Sequence, residues 1–217
     1  MAKFIKIDRS TWKRTQYFEH YFNQLRCSYS MTINLDITTL KSKADSNGFK
    51  LYPLLIYALT TIVNRHKEFR TDIDSNGDIG IWESMLPSFT IFHKESETFS
   101  QMWTEYDSDV VAFISTFNED MRLFGNCEGI IAKPNTPKNT FPISSIPWST
   151  FTSFNLNIFE DGSFLLPIFT WGKSYVDPST SKLLIPLSAQ VHHAVCDGFH
   201  LSRFVNELQE SLDNILL

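Results

Sequence analysis

Gln190-Val-His-His-Ala-Val-Cys-Asp-Gly-Phe-His200 joins a strand to a helix, and the chemistry of the chain is read from that join. Upstream, Leu183 to Val195 reads as a buried strand. Downstream, Gly198 to Leu216 carries apolar residues at 201, 204, 205, 208, 212 and 215, the spacing of one helical face. Alternate residues of a strand share a face, so His193 lies with Val191 and Val195, and His192 with Gln190 on the other side. The two histidines are therefore expected to do different jobs. An imidazole held among apolar neighbours stays neutral because desolvation disfavours the cation, and a neutral ring can accept a proton, as a general base must. Asp197, four residues after His193 and followed by Gly198, can pair with a cation, orient the histidine or cap the helix, and all three readings stay open here.

Working outward, 217 residues with 42% hydrophobic and 20% charged content make a soluble globular chain, read as one domain over 1–217. The net charge of −5 comes without a basic stripe, which argues against nucleic acid as a partner. The opening Met-Ala-Lys-Phe-Ile-Lys-Ile-Asp has no long apolar core, and no run approaches the roughly 20 apolar residues of a membrane span, so a cytoplasmic protein with no membrane partner is expected. Cys27, Cys127 and Cys196 lack metal-ligand spacing and fit reduced thiols. Nineteen phenylalanines, five tryptophans and seven tyrosines fill a core and can also line a pocket for an aromatic ligand.

Ser10 is expected to cap a helix through Trp12, Phe18 and Tyr21, with Arg14 either exposed or drawn inward to an acidic partner. Cys27 to Asp36 alternates like a strand, Thr38 to Asn47 reads as a helix closed by Gly48, and Tyr52 to His66 as a buried helix. Strands at 70–73 and 78–82 flank the turn Asp74-Ser75-Asn76-Gly77, and Phe89 to His93 is a further strand. Asp107 to Phe124 is an amphipathic helix, and Gly125 to Pro142 reads as a loop. Phe151 to Phe159 alternates like a strand that leaves through Asp161-Gly162, and Leu165 to Tyr175 and Ser181 to Val195 supply the remaining long strands. Strands mixed with helices, hairpins included, predict an α/β two-layer sandwich with a mixed β-sheet packed against helices.

The element His-His-x-x-x-Asp-Gly at 192–198 resembles that of the trimeric chloramphenicol acetyltransferases. Asp72 to Trp82, Phe89 to Ser100, Ile146 to Asn157 and Pro167 to Lys173 resemble the same family, so the likeness spans nearly the whole chain. The motif alone is shared more distantly by dihydrolipoyl acyltransferases and by condensation domains of peptide synthetases. The resemblance implies transfer of an acetyl group from acetyl-CoA to the primary (3-) hydroxyl of chloramphenicol within a ternary complex, with no acyl-enzyme and no metal. It assigns His193 as base and Ser144 as donor to the carbonyl oxyanion, supported by an ion pair between Arg14 and Asp197. It places Tyr21, Cys27, Phe99, Ile131, Leu156 and Thr170 around the antibiotic, Thr170 also near a bound water. Lys50 and Lys173 match basic positions near the nucleotide end of coenzyme A, with Trp148 beside the pantetheine arm or the Ser144 loop. Gly-Ile-Ile-Ala-Lys-Pro around Ile131 departs from the family's common Phe-Pro and implies a shifted substrate preference. A homotrimer with sites at the subunit boundaries is implied as well.

Three other readings compete. An acyltransferase of the same fold could take another acceptor alcohol, or a dihydrolipoyl thiol, although the chain has no lipoyl domain or linker. His192, His193, Cys196, Asp197 and His200 could bind a metal, but Asp-Gly interrupts the helix face that four-residue ligand spacing favours. A protein that binds chloramphenicol without catalysis is the last.

Overall fold

A computed structural model describes residues 2–156, 158 and 162–216. The chain runs β1 (Phe4–Lys6), α1 (Thr15–Phe18) continued by a π-helical turn (Glu19–Gln24), β2 (Ser28–Asp36), α2 (Thr38–Asn47), α3 (Leu51–Arg65), a 3₁₀ turn (Lys67–Phe69), β3 (Thr71–Ile73), β4 (Ile79–Trp82), β5 (Leu86–His93), β6 (Thr98–Trp103), α4 (Val110–Phe124), β7 (Thr140–Ile146), β8 (Ile168–Gly172), β9 (Tyr175–Val176), β10 (Leu183–His192) and α5 (Gly198–Asn214). A small antiparallel sheet is ordered β1-β4-β3, and a large one β2-β10-β8-β7-β5-β6 with β9 beside β10. β7 runs parallel to β5 and β8, and the other neighbours are antiparallel, which is the mixed sheet that alternating strands and helices led us to expect.

The large sheet has two unlike faces. Leu35, Ile185, Leu187 and Trp171 turn towards the helices and meet Leu55 and Leu59 of α3 and Leu208 and Leu212 of α5. Apolar residues on every side of α3 bury Leu54, Ile56, Ala58 and Ile62 completely, as a helix wedged between sheet and neighbours requires. On the opposite face, register sets Ser144 against Thr170, Thr170 against Ser188 and Ser188 against Thr32, while Gln190 pairs with Ser30. That row is polar yet uncharged. Local signals explain the joints: Gly48 closes α2 at φ 71°, Gly77 takes φ 82° in the β3–β4 turn, and the Asp109 carboxylate caps α4 by accepting from the Ala112 N–H at 2.8 Å.

Four expectations need correction. Ser10 caps no helix: its N–H and hydroxyl both donate to the Asp8 carboxylate, making a local turn, and α1 starts only at Thr15 with Arg14 at its N-cap. The loop expected to run to Pro142 ends earlier, because β7 begins at Thr140 and takes Pro142 into a parallel strand opposite Ser88. β6 was not foreseen at all. Residues 151–156 and 158 form no strand; instead the Thr32, Ser188 and Gln190 side chains take up the backbone of Phe154 and Leu156, laying the segment over the polar face. Asn157, Phe159 and Asp161 of the expected strand and turn lie outside the described residues.

The segment from Gly129 to Lys133 is fixed by backbone and by charge. Gln101 N–H donates to the Ile130 carbonyl at 2.7 Å, and Ala132 N–H to the Gln101 carbonyl at 3.0 Å, adding a short bridge to β6. Next to it the Lys133 ammonium meets both Asp120 oxygens at 2.7 and 2.8 Å, sits over the Trp103 ring, and leaves Thr104 to donate to the same carboxylate. Lys133→Met strands the buried Asp120 carboxylate and is expected to lower unfolding free energy by about 3 kcal/mol. Adding Asp120→Asn should recover part of it, and an unchanged urea midpoint in the single variant would show that the pair contributes nothing.

Candidate active site

β10 stops at His192, and residues 193–197 form the turn into α5. His193 N–H donates to the Cys27 carbonyl at 2.8 Å, tying the turn to the residue before β2. Arg14 enters from the start of α1. Its Nη1 and Nη2 reach the two Asp197 carboxylate oxygens at 2.6 Å each, Nε donates to the Ala194 carbonyl at 2.8 Å, and Nη2 to the His193 carbonyl at 2.9 Å. One guanidinium thus holds three residues of the turn. Its hydrogen bonds keep the Asp197 carboxyl below the usual carboxylate range, against the opposing effect of burial. Asp197 therefore pairs with a cation and also occupies the N-cap position of α5.

The two histidines are placed differently, although β10 ends at His192 and the strand face expected to hold His193 with Val191 and Val195 does not reach it. His192 is buried, Nε2 donates to the Gly162 carbonyl at 2.9 Å, and Nδ1 accepts from the Ala194 N–H at 3.1 Å, so both nitrogens are used. Burial lowers its pKa, so it is held neutral. His193 is 28% exposed and lies flat against Tyr21, ring centroids 3.9 Å apart and planes 7° from parallel, with the Tyr29 ring edge-on at 5.4 Å. Its buried Nδ1 is 3.2 Å from Oδ1 of Asp197 but is not aligned for a hydrogen bond, so only through-space attraction joins them. Tyr29 was not anticipated: one tyrosine on an alternating strand carries no signal of its partner.

A cavity of about 460 Å³ lies on the polar face of the sheet. Ser144, Thr170, Leu156, Phe99 and Trp148 line it, together with Thr90 and Gln101, which were not foreseen. No protein group takes the Ser144 hydroxyl among the described residues, and Trp148, 61% exposed, stands edge-on to Phe92 at the cavity wall. The other expected residues sit elsewhere. Tyr21 and Cys27 surround His193, Ile131 lies half-exposed on the bridge to Gln101, and Lys50 and Lys173 are exposed away from the cavity lining. Ser144 and His193 do not meet within one chain. His193 lies five residues beyond Ser188 and Ser144 two strands across, which at about 3.3 Å per residue and about 4.8 Å per strand separates their Cα atoms by roughly 19 Å.

Among the described residues no cluster of three or more His, Cys, Asp or Glu side chains could hold a metal ion, and no helix is long and apolar enough to cross a membrane. Burial pushes the Cys196 thiol up to about 12, so it stays protonated beside the histidines.

A mixed sheet covered by helices on one face, with a histidine turn at the end of its longest strand, defines an acyltransferase fold. The chain belongs to the chloramphenicol acetyltransferase family, whose sequence profile matches residues 2–209. It is 53% identical over 211 residues to a chloramphenicol acetyltransferase of Campylobacter coli, covering 97% of this chain and 99% of that one. It is 53% identical over 212 residues to one of Clostridium perfringens, covering 98% and 96%. A solved chloramphenicol acetyltransferase, 21% identical, superposes with a TM-score of 0.83 over 97% of this chain and 98% of its own, a likeness of fold.

His192 and His200 both have pKa values lowered from 6.5, chiefly by burial. The unfolded chain therefore takes up these protons first, so the stability that the neutral rings contribute is complete above pH 6.5 and is lost as pH falls below it. Calorimetry should show Tm dropping by at least about 2 °C between pH 7 and pH 5. His192→Gln, which does not titrate, should reduce that drop; an identical drop in the variant would assign it to other groups.

Proposed function

We propose that this chain transfers the acetyl group of acetyl-CoA to the primary (3-) hydroxyl of chloramphenicol, with His193 as general base in a ternary complex. The observation that carries the reading is His193 itself, half-buried, stacked on Tyr21 and anchored through its carbonyl by Arg14, in a chain of this family. Acetyl-CoA supplies the acetyl group as a thioester. A proton on Nδ1 of His193, facing the Asp197 carboxylate, leaves Nε2 with the lone pair that removes the hydroxyl proton as the oxygen attacks the carbonyl carbon. The Ser144 hydroxyl, without a protein partner among the described residues, donates to the oxygen on which negative charge develops. When the tetrahedral intermediate collapses, the carbon–sulfur bond breaks and the imidazolium returns its proton to the leaving sulfur.

The cavity that holds Ser144, Thr170, Leu156 and Phe99 receives the antibiotic, with Tyr21 and Cys27 added from beside His193 and Ile131 reaching it across the bridge to Gln101. Exposed Lys50 and Lys173 meet coenzyme A phosphates as point charges, and Trp148 flanks the acyl arm. Because Ser144 and His193 of one chain stand about 19 Å apart, each site takes His193 from one subunit and the cavity from its neighbour. A homotrimer closes three such heterologous boundaries. Free thiols at Cys27, Cys127 and Cys196 fit work in the cytoplasm. A same-fold transferase for a different acceptor alcohol remains the second reading, favoured by the exposed pair Ile130 and Ile131 beside Gln101.

The reading is tested by following thiol release from acetyl-CoA with and without chloramphenicol. His193→Ala should lower kcat by about 10²–10⁴ and Ser144→Ala by about 10²–10³ with little change in KM. Co-expressing the two variants should restore activity, since about a quarter of boundary sites then combine an intact His193 with an intact Ser144. No restoration would place both groups in one subunit's site, and release that ignores chloramphenicol would favour the other acceptor.

A further inference from the structure

The turn that carries His193 is held at its far end by a third histidine that the mechanism does not use. Asp197 N–H donates to Nδ1 of His200 at 3.0 Å. That bond requires a lone pair on Nδ1, so His200 is neutral and carries its proton on Nε2, which faces Oε1 of Glu68 at 3.6 Å. Glu68, largely buried on the 3₁₀ turn after α3, also receives Nη2 of Arg203 at 3.3 Å. A continuous series of contacts therefore runs from Arg203 and Glu68 through His200 to the Asp197 backbone, then through the Asp197 carboxylate to Arg14 and the His193 carbonyl. In a capping box, the third residue of a helix uses a Glu or Gln oxygen to satisfy the N-cap N–H; here an imidazole does this work. Arg14 takes the Asp197 carboxylate, which also faces the His200 backbone N–H in the reciprocal half of the box, and the His200 ring takes the Asp197 amide.

We propose that His200 is a positioning residue for His193, setting the base's place by accepting the Asp197 N–H. The assignment rests on His193 being the base. Burial keeps the His200 pKa below its ordinary value, although Glu68 and Asp197 favour its cation, and Arg14 and Arg203 add to the effect of burial. Protonated at both nitrogens, His200 can no longer accept, and the N-cap amide loses its partner.

Two substitutions separate the acceptor from the ring. His200→Phe keeps a ring of similar bulk and removes the lone pair; His200→Gln supplies an amide oxygen that does not titrate. We expect H200F to lose about 10-fold or more in kcat, since displacement of a reacting group by about 1 Å costs up to about 100-fold, with both KM values within about twofold. H200Q should recover kcat to within about threefold of wild type and should retain at pH 5.5 a larger fraction of its pH 7.5 kcat than wild type does. Should H200F fail to fold, the acid-side comparison between H200Q and wild type decides alone. Wild-type kcat in H200F, equal losses in both variants, or identical acid-side falls would overturn the role of His200. His193→Ala is the control: if it retains turnover, the base assignment itself fails, whereas its inactivity beside a fully active H200F rejects only the positioning role.

Discussion

The pairing of Arg14 with the turn at 193–197 is the constraint on which the site depends. It joins the first helix to the last across 183 residues of sequence, and it is made by a guanidinium only 15% exposed. A charge so placed is tolerable only if its donors are used, and here Nε, Nη1 and Nη2 all find oxygen. A lysine could not substitute, because a single ammonium cannot span a carboxylate and two carbonyls lying in different directions. The position of His193 follows from the backbone this cation holds, while the ring's orientation follows from the Tyr21 face against it.

A second constraint is the contrast between the two faces of the large sheet. The helix face is closed by Leu35, Ile185 and Leu187. The other face shows Ser30, Thr32, Ser144, Thr170, Ser188 and Gln190, none charged, with Phe92, Phe99, Trp148 and Leu156 exposed around them. Thr170, Ser188 and Gln190 are already buried within the chain, and Ser188 and Gln190 spend their polar atoms on the backbone of Phe154 and Leu156, so the row stays uncharged because it is covered. The aromatic rings around the row remain exposed in one chain, an apolar surface that a neighbouring subunit would cover in the proposed assembly.

Much of this was legible in the sequence where local rules and tertiary demands agree. The apolar period of α5, the all-round apolarity of α3, the Gly48 stop and the Gly77 turn each announce themselves, whereas the strand expected to run through Val195 ends at His192, so alternation does not place His193. The failures arise where backbone partners are long-range or are replaced. β7 holds a proline and pairs in parallel with strands some 50 and 26 residues away, so no neighbouring residue signals it. Phe151 to Leu156 alternates as a strand does, but its backbone is satisfied by Thr32, Ser188 and Gln190 side chains, which periodicity cannot distinguish from a ladder. The Ser10 expectation failed to a stronger local competitor, the Asp8 carboxylate two residues earlier. The pairing of Arg14 with Asp197 and the expectations for Ser144 and Thr170 came from the family resemblance; composition and spacing left them ordinary.

The segment around Ile131 shows how a surface can vary without harm to the fold beneath it. Ile130 to Ala132 is held against β6 by backbone bonds to Gln101, which form whatever side chains the segment carries. Its stability is set next door, where Lys133 and Asp120 neutralise each other beneath the Trp103 ring. The side chains of Ile130 and Ile131 are consequently exposed and make little of the core, so exchanging them changes the shape and polarity of that surface at small cost to packing. His193 and Arg14 stand under the opposite condition, since the His193 ring is packed on Tyr21 while its carbonyl, that of Ala194 and the Asp197 carboxylate are all held by the one Arg14 guanidinium. The geometry of the turn is therefore fixed by interactions that cannot be exchanged singly, whereas the segment at 130–132 is attached by bonds that do not depend on its side chains.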